Sequence, residues 1–200
     1  MRQADLFPKA LPRGLRYQDD FLTAAEEAQL LADIAQLSLT EARYKEFTAK
    51  RRTLSYGSSY DFSTNTSMPA APIAPFLHSL RCSVAEWAGV DPLAFEHALV
   101  SEYRPGTPLG WHRDVPEFEL IVGVSLQGAC RMRFRPYPWS PARRSEVFEL
   151  EVQARSAYIL QDEARWRWQH SIAPTNQQRY SITFRTRRRA EGHERQSAEP

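Results

Sequence analysis

The chain has 200 residues, 42% apolar and 25% charged, a globular balance that excludes collagen-like, disulfide-scaffold and wholly disordered proteins. It has no apolar run of about 18 residues and no apolar stretch at its start, so neither a membrane span nor a secretory signal is expected, and a cytoplasmic location is. The net charge of +2 is uneven: residues 1–100 carry 10 basic and 12 acidic groups and residues 101–200 carry 16 and 12, nearly all the cations being arginine.

Residues 1–16, with Pro8, Pro12 and Gly14, read as a flexible tail. Thr23 and Glu26 form a capping box, and Leu30, Leu31, Ile34 and Leu37 recur at helical spacing, which predicts a helix from Thr23 to about Leu37. Residues 41–62 interleave aromatics with Arg43, Lys45, Lys50, Arg51 and Arg52 and read as short strands and loops. Residues 63–72 are a polar loop, and residues 73–89 predict a second helix closed by Gly89. Residues 17–96 are thus read as helices plus an inserted segment at about 41–62.

From 97 to 186 the pattern is strand after strand: HALVSEY, ELIVGVSLQ, CRMRFRPY, VFELEVQ, SAYILQ, RWRWQHSI and RYSITFR, with no helical repeat. That predicts a sandwich or barrel. Residues 187–200 read as a disordered basic tail. Cys82 and Cys130 form no CxxC pair and read as two buried thiols in a reducing compartment.

His112-x-Asp114 can turn an imidazole and a carboxylate to one side of a strand, within reach of one metal ion. His170 is the natural third ligand, on a predicted strand whose Trp166, Trp168 and His170 share a face. A two-histidine, one-carboxylate set leaves positions open on iron for a co-substrate and dioxygen. The competing reading is a surface His–Asp pair. In Arg179–Arg185, Tyr180, Ile182 and Phe184 make an apolar face, and Arg179, Ser181, Thr183 and Arg185 a polar one. If that polar face is buried, its arginines need an anion, and a small dicarboxylate fits their forked donors; the alternative is an exposed sheet face.

These pieces, in order, resemble the AlkB group of iron(II)- and 2-oxoglutarate-dependent dioxygenases: Tyr103-Arg-Pro-Gly, His112-x-Asp114, His170, and Arg179-x5-Arg185, with Lys50–Gly57 and Tyr60 resembling the family's substrate lid. The resemblance implies an α+β, mainly β fold: a double-stranded β-helix, or jelly roll, with N-terminal helices and a lid. It implies that His112, Asp114 and His170 bind iron(II), that Arg179 pairs with the far carboxylate of 2-oxoglutarate, and that Arg185 and Tyr103 complete that site. Ser101 and Ser181 stand where the family often has asparagine. The implied reaction consumes dioxygen and 2-oxoglutarate, yields succinate and carbon dioxide, and removes an N-methyl group as formaldehyde.

The substrate implied is an N-alkylated base in DNA or RNA; the alternative is the same chemistry on a protein or small molecule. A binding module without catalysis is disfavoured by the complete set of His112, Asp114, His170, Arg179 and Arg185. After the metal motif the family often has acids; here the segment is Val115-Pro116-Glu117, so Glu117 is the acidic candidate beside a cationic base. Tyr56, Tyr60, Trp111 and Trp166 are candidate stacking walls, and Arg51 and Arg52 candidate phosphate contacts, each with core packing or a solvated charge as the plainer reading. Arg131, Arg133 and Arg135 share one strand face, as a nucleic-acid groove or a solvated surface. Gln3-Ala4-Asp5-Leu6-Phe7 resembles the peptide by which bacterial replication and repair proteins dock on the sliding clamp. A monomer is expected.

Overall fold

The computed structural model describes residues 11–44, 47–61 and 66–188, with side chains described for 11–41, 50–58 and 68–188. The Gln3–Phe7 peptide, the Tyr60 side chain and the tail from residue 189 lie outside these. Thirteen strands follow in chain order: β1 (Leu15–Gln18), β2 (Thr40–Tyr44), β3 (Phe47–Tyr56), β4 (Ser58–Asp61), β5 (Thr66–Pro69), β6 (Phe95–Tyr103), β7 (Leu109–His112), β8 (Phe118–Leu126), β9 (Cys130–Pro136), β10 (Phe148–Val152), β11 (Ala157–Leu160), β12 (Trp168–Ile172) and β13 (Arg179–Arg187). Among the described residues, three α-helices accompany them: α1 (Ala24–Ile34), α2 (His78–Ala88) and α3 (Asp162–Trp166). None of the described helices is long and apolar enough to cross a membrane.

The strands form a seven-stranded major sheet, ordered β1-β11-β8-β13-β6-β3-β2, a four-stranded minor sheet, ordered β10-β9-β12-β7, and the β4–β5 hairpin. The pairings are antiparallel throughout, the jelly-roll arrangement. Period-two alternation gives the major sheet two working faces. Val100, Ile182 and Phe184 join Leu30, Ile34, Leu80 and Val84 of the helices in one core. A second core, with Ile121, Met132, Phe134, Leu160 and Ile172, fills the space between the sheets.

The capping box of α1 is present: the Thr23 hydroxyl accepts from the Glu26 amide at 3.2 Å and the Thr23 amide donates to the Glu26 carboxylate at 2.8 Å. Gly89 closes α2 in the left-handed conformation. Several expectations need correction. Leu15 and Arg16 are not tail but the start of β1, because Leu15 buries its side chain between the sheets. Nor is every strand of the 41–62 segment short: β3 runs ten residues and pairs with β6 inside the major sheet. Cys82 is exposed on α2, whereas Cys130 is buried. The 97–186 region also contains α3, so Trp166 ends a helix and does not share a strand face with Trp168 and His170.

Candidate metal centre and co-substrate pocket

His112, Asp114 and His170 converge between the sheets, each offering one ligand atom, and these atoms lie within 4.8 Å of one another. His112 closes the edge strand β7 and pairs directly with His170 on β12. The pairing then slips: His170 opposes His112, while Ile172 opposes Leu109. The extra residue in β7 is a bulge, and it turns both Leu109 and His112 to the interior while Trp111 faces out. Asp114 lies in the loop just past the strand rather than on it.

The His112 Nδ1 lies 2.8 Å from the Gly110 carbonyl, which can only accept, so Nδ1 carries the proton and Nε2 keeps its lone pair. His170 Nε2 lies 3.6 Å from Asp114 Oδ2. The other carboxylate oxygen, Oδ1, accepts from Arg185 Nη2 at 2.7 Å and Nε at 2.9 Å. Burial alone would raise the Asp114 carboxyl, but Arg185 and the two imidazoles outweigh it and hold the carboxyl well below the usual range. Burial pushes His170 down to about 3, helped by His112 beside it, and burial lowers His112 as well. Two neutral imidazoles and an ionised carboxylate form the donor set that iron(II) requires. The residues present fit the metal.

The same pocket extends between the sheets, past Ser101, Tyr103, Tyr158, Ser181 and Thr183. At this end Arg179 is buried at 1% exposure. Its Nε donates to Ser125 Oγ at 3.0 Å and its guanidinium lies over the Tyr103 ring at 5.1 Å. Arg179 Nη1 is buried without a hydrogen-bond partner among the described residues. A fixed cation with an unused donor calls for an anion, which the far carboxylate of 2-oxoglutarate would supply. Gly123 makes the width possible: it pairs with Tyr158, whose ring lies where a Cβ at 123 would be.

The structure sorts the remaining candidates. Ser101 and Ser181 sit side by side across β6 and β13 and line the pocket. Arg185 is inward, as expected, but its guanidinium is engaged with Asp114. Arg51 also enters the pocket, with Nη1 3.4 Å from the Tyr103 hydroxyl. Arg52, its neighbour on β3, faces the opposite side and pairs with buried Glu102, so it is not a free phosphate contact. Tyr56 shares the face of Arg52 and is buried in the helix-side core, so it is not a stacking wall. Trp111 points out of the minor sheet, away from the metal ligands. Glu117 lies outside the pocket lining; its carbonyl accepts from the Arg188 amide at 2.7 Å.

Three residues escaped the sequence reading. Ser125 is the lone hydroxyl in the apolar run of β8, and that isolation was the available signal. His97 accepts from Arg185 Nη1 at 3.3 Å. Arg165, on α3, is buried and donates to the carbonyls of Asp114, Val115 and Phe118 at 2.7–3.2 Å, bracing the loop that carries the carboxylate ligand. No sequence signal marks it, since its partners are backbone atoms some 50 positions away.

Comparison with known proteins agrees with this geometry. A family model described as the 2OG-Fe(II) oxygenase superfamily matches residues 14–190. The chain is 31% identical over 181 aligned residues to an alkylated DNA repair protein ALKBH8 homologue of Arabidopsis thaliana, covering 80% of this chain and 50% of that one. It is 26% identical over 174 residues to the tRNA (carboxymethyluridine(34)-5-O)-methyltransferase ALKBH8 of Macaca fascicularis, covering 84% and 25%. The chain thus spans half or less of the length of these relatives. Its fold superposes on OsALKBH1 with a TM-score of 0.68 at 13% identity, over 89% of this chain and 99% of that one. It also superposes on a Pseudomonas putida prolyl-4-hydroxylase with a TM-score of 0.60 at 16% identity, over 88% and 94%. The chain belongs to the 2OG-Fe(II) oxygenase superfamily, dioxygenases whose cofactors are iron(II), 2-oxoglutarate and dioxygen.

Proposed function

We propose that the protein oxidatively demethylates N-alkylated bases in nucleic acid, with DNA as the leading substrate, and so reverses alkylation damage directly. The observation that carries the reading is a pocket that holds the His112–Asp114–His170 set and is also lined by Tyr103, over whose ring lies the buried Arg179 guanidinium, with its Nη1 unpartnered among the described residues. The relatives' names, one an alkylated DNA repair protein and one a tRNA methyltransferase, support a nucleic-acid substrate.

His112, Asp114 and His170 would hold iron(II), whose chemistry there would couple oxidative decarboxylation of 2-oxoglutarate by dioxygen to hydroxylation of the N-methyl group, lost as formaldehyde. In this reading Arg179 neutralises the far carboxylate of 2-oxoglutarate, and Ser125 and Tyr103 hold the guanidinium in place. Arg185 orients Asp114 so that one oxygen faces the metal position. Leu109, Ile121, Met132 and Ile172 keep the pocket wall apolar and exclude water. Arg51 stands beside Tyr103 and selects for groups that tolerate a cation.

The test is mass spectrometry of oligonucleotides carrying 1-methyladenine or 3-methylcytosine, incubated with iron(II), 2-oxoglutarate and ascorbate, with succinate followed in parallel. Loss of one methyl group with matching succinate is expected. Succinate without demethylation would move the substrate to a protein or small molecule. The Gln3–Phe7 peptide belongs to the same reading as a tether to a sliding clamp; deleting residues 1–8 should abolish clamp binding, and unchanged affinity would reject the tether.

A further inference from the structure

The minor sheet has an outer face that the chemistry above does not use. Arg131, Arg133 and Arg135 of β9 alternate with buried Met132 and Phe134 and so project from that face. Trp111 of β7 projects from it too, with the Arg135 guanidinium 4.5 Å and that of Arg133 5.2 Å from its ring. Arg135 also lies 5.4 Å from the ring of Trp139. Beside them opens a cleft of about 410 Å³ lined by Trp111, Arg135, Trp139, Pro141, Arg144 and Val147. That volume lies within the range of small-molecule clefts, roughly 300–1,000 Å³.

The face carries carboxylates as well as arginines, and Arg135, which lines the cleft, has a neutral hydrogen-bond partner. Arg133 donates to Ser171 Oγ at 3.1 Å but has Glu149 as its register partner on β10, whereas Arg135 donates to Gln169 Oε1 at 2.8 Å, a neutral partner. Carboxylates do meet the sheet on β10: Glu149 reaches Arg131 at 3.6 Å, and Glu151 is the register partner of Arg131. They lie on β10, the edge strand opposite β7, with β9 and β12 between. The cleft therefore combines flat aromatic surface with fixed cations, the pairing that holds single-stranded nucleic acid through base stacking and phosphate attraction.

Its position joins it to the metal centre. β7 is the edge strand of the minor sheet, and the adjacent residues Trp111 and His112 leave it on opposite faces. A strand that delivers one base to the inner pocket reaches the outer cleft by turning over that edge, within a few nucleotides.

We propose that the Trp111–Trp139–Arg135–Arg144 cleft is a second nucleobase subsite, holding an unpaired base that flanks the one delivered to the metal centre. This rests on the nucleic-acid reading of the active site. The test uses metal-free protein titrated with a dodecamer of thymidylate, followed by anisotropy at several salt concentrations. Trp139→Ala should weaken binding by about tenfold or more, the loss of one stacked base. Trp139→Phe should retain most of the affinity. Arg144→Gln should lower the slope of log affinity against log salt by about 0.7, one phosphate contact.

With the loaded enzyme, Trp139→Ala should raise KM for a dodecamer carrying 1-methyladenine and leave KM for the monophosphate of 1-methyladenosine as it was, because a single nucleotide has no flanking base to place in the cleft. Equal affinity of parent and Trp139→Ala for the dodecamer would overturn the subsite while leaving the nucleic-acid reading intact. An equal rise of KM for both substrates would overturn it too, as a structural effect of the substitution. Failure of the parent itself to bind either oligonucleotide would overturn the nucleic-acid reading, and the subsite with it.

Discussion

Arg185 and Asp114 are joined through a single carboxylate oxygen: both Nη2 and Nε of the arginine reach Oδ1, at 2.7 and 2.9 Å, and Oδ2 is left for the metal position. The sequence pattern assigned Arg185 to the co-substrate; its contacts make it first the partner of a metal ligand. Outer partners of this kind tune ligand orientation and basicity. Arg185→Lys supplies a point charge in place of the fork and cannot serve Asp114 and His97 together. Its affinity for cobalt(II), titrated into metal-free protein, should fall by roughly 10–100-fold. Parental affinity would show that Asp114 holds its orientation without the fork.

Arg179 gives a different signature. Its Nη1 has no hydrogen-bond partner among the described residues, so the fold gains little from that nitrogen. A charged hydrogen bond contributes about 1.5–3 kcal/mol, which is about a 10–150-fold effect on affinity. Arg179→Gln should therefore weaken 2-oxoglutarate binding by that factor in calorimetry and leave the cobalt(II) affinity near that of the parent. A loss of metal binding of the same size would make Arg179 a structural residue rather than an anion anchor.

Gly123 and Tyr158 test the pocket wall. A methyl group at 123 overlaps the Tyr158 ring, which must then leave its place. Gly123→Ala should cost about 1–3 kcal/mol in urea denaturation, as overpacking does. Adding Tyr158→Leu removes the clash, so the double variant should be more stable than the sum of the two single losses predicts. Simple additivity would place the damage elsewhere.

Acid should loosen the metal-free protein. Burial, helped by the charge of Arg185, holds His97 down to about 3, against an ordinary histidine value of about 6.5. Between those values the unfolded chain binds a proton that the folded chain refuses, so stability falls as pH drops from about 6.5 toward 3. Each such group contributes a slope of up to about 1.4 kcal/mol per pH unit. His97→Gln keeps an acceptor for Arg185 but cannot titrate; the difference in urea midpoint between pH 7 and pH 4.5 should shrink. An unchanged difference would assign the acid sensitivity to the metal-ligand histidines alone.

The polar and apolar faces of β13 were legible in the sequence because the seven residues Arg179–Arg185 alternate without a break and both faces are buried against something different. The metal set was legible through its residue types and order, although Asp114 proved to sit in a loop and the bulge that turns His112 inward leaves no local mark. α3 was missed because five residues are too few to show a helical period, and RWRW alternates like a strand. Tyr56 and Arg52 were misplaced for one reason: the face a lid residue takes depends on the parity of β3, which pairing with β6 sets and the residue types do not.

That parity has a consequence for how the chain tolerates change. Arg51 and Arg52 are identical side chains on opposite faces, one in the pocket and one paired with Glu102. A slip of β3 by one residue would keep an arginine in only one of those places: Arg52 would take the pocket and Thr53 would face Glu102, or Arg51 would face Glu102 and Lys50 would take the pocket. What forbids it lies downstream: Tyr56 must enter the helix-side core, and Gly57, at φ +78, must pass so close to the Glu96 carbonyl that no side chain fits there. An insertion or deletion between Arg52 and Tyr56 would therefore leave the arginines free to follow either register, and would change what the pocket admits before it changed whether the protein folds.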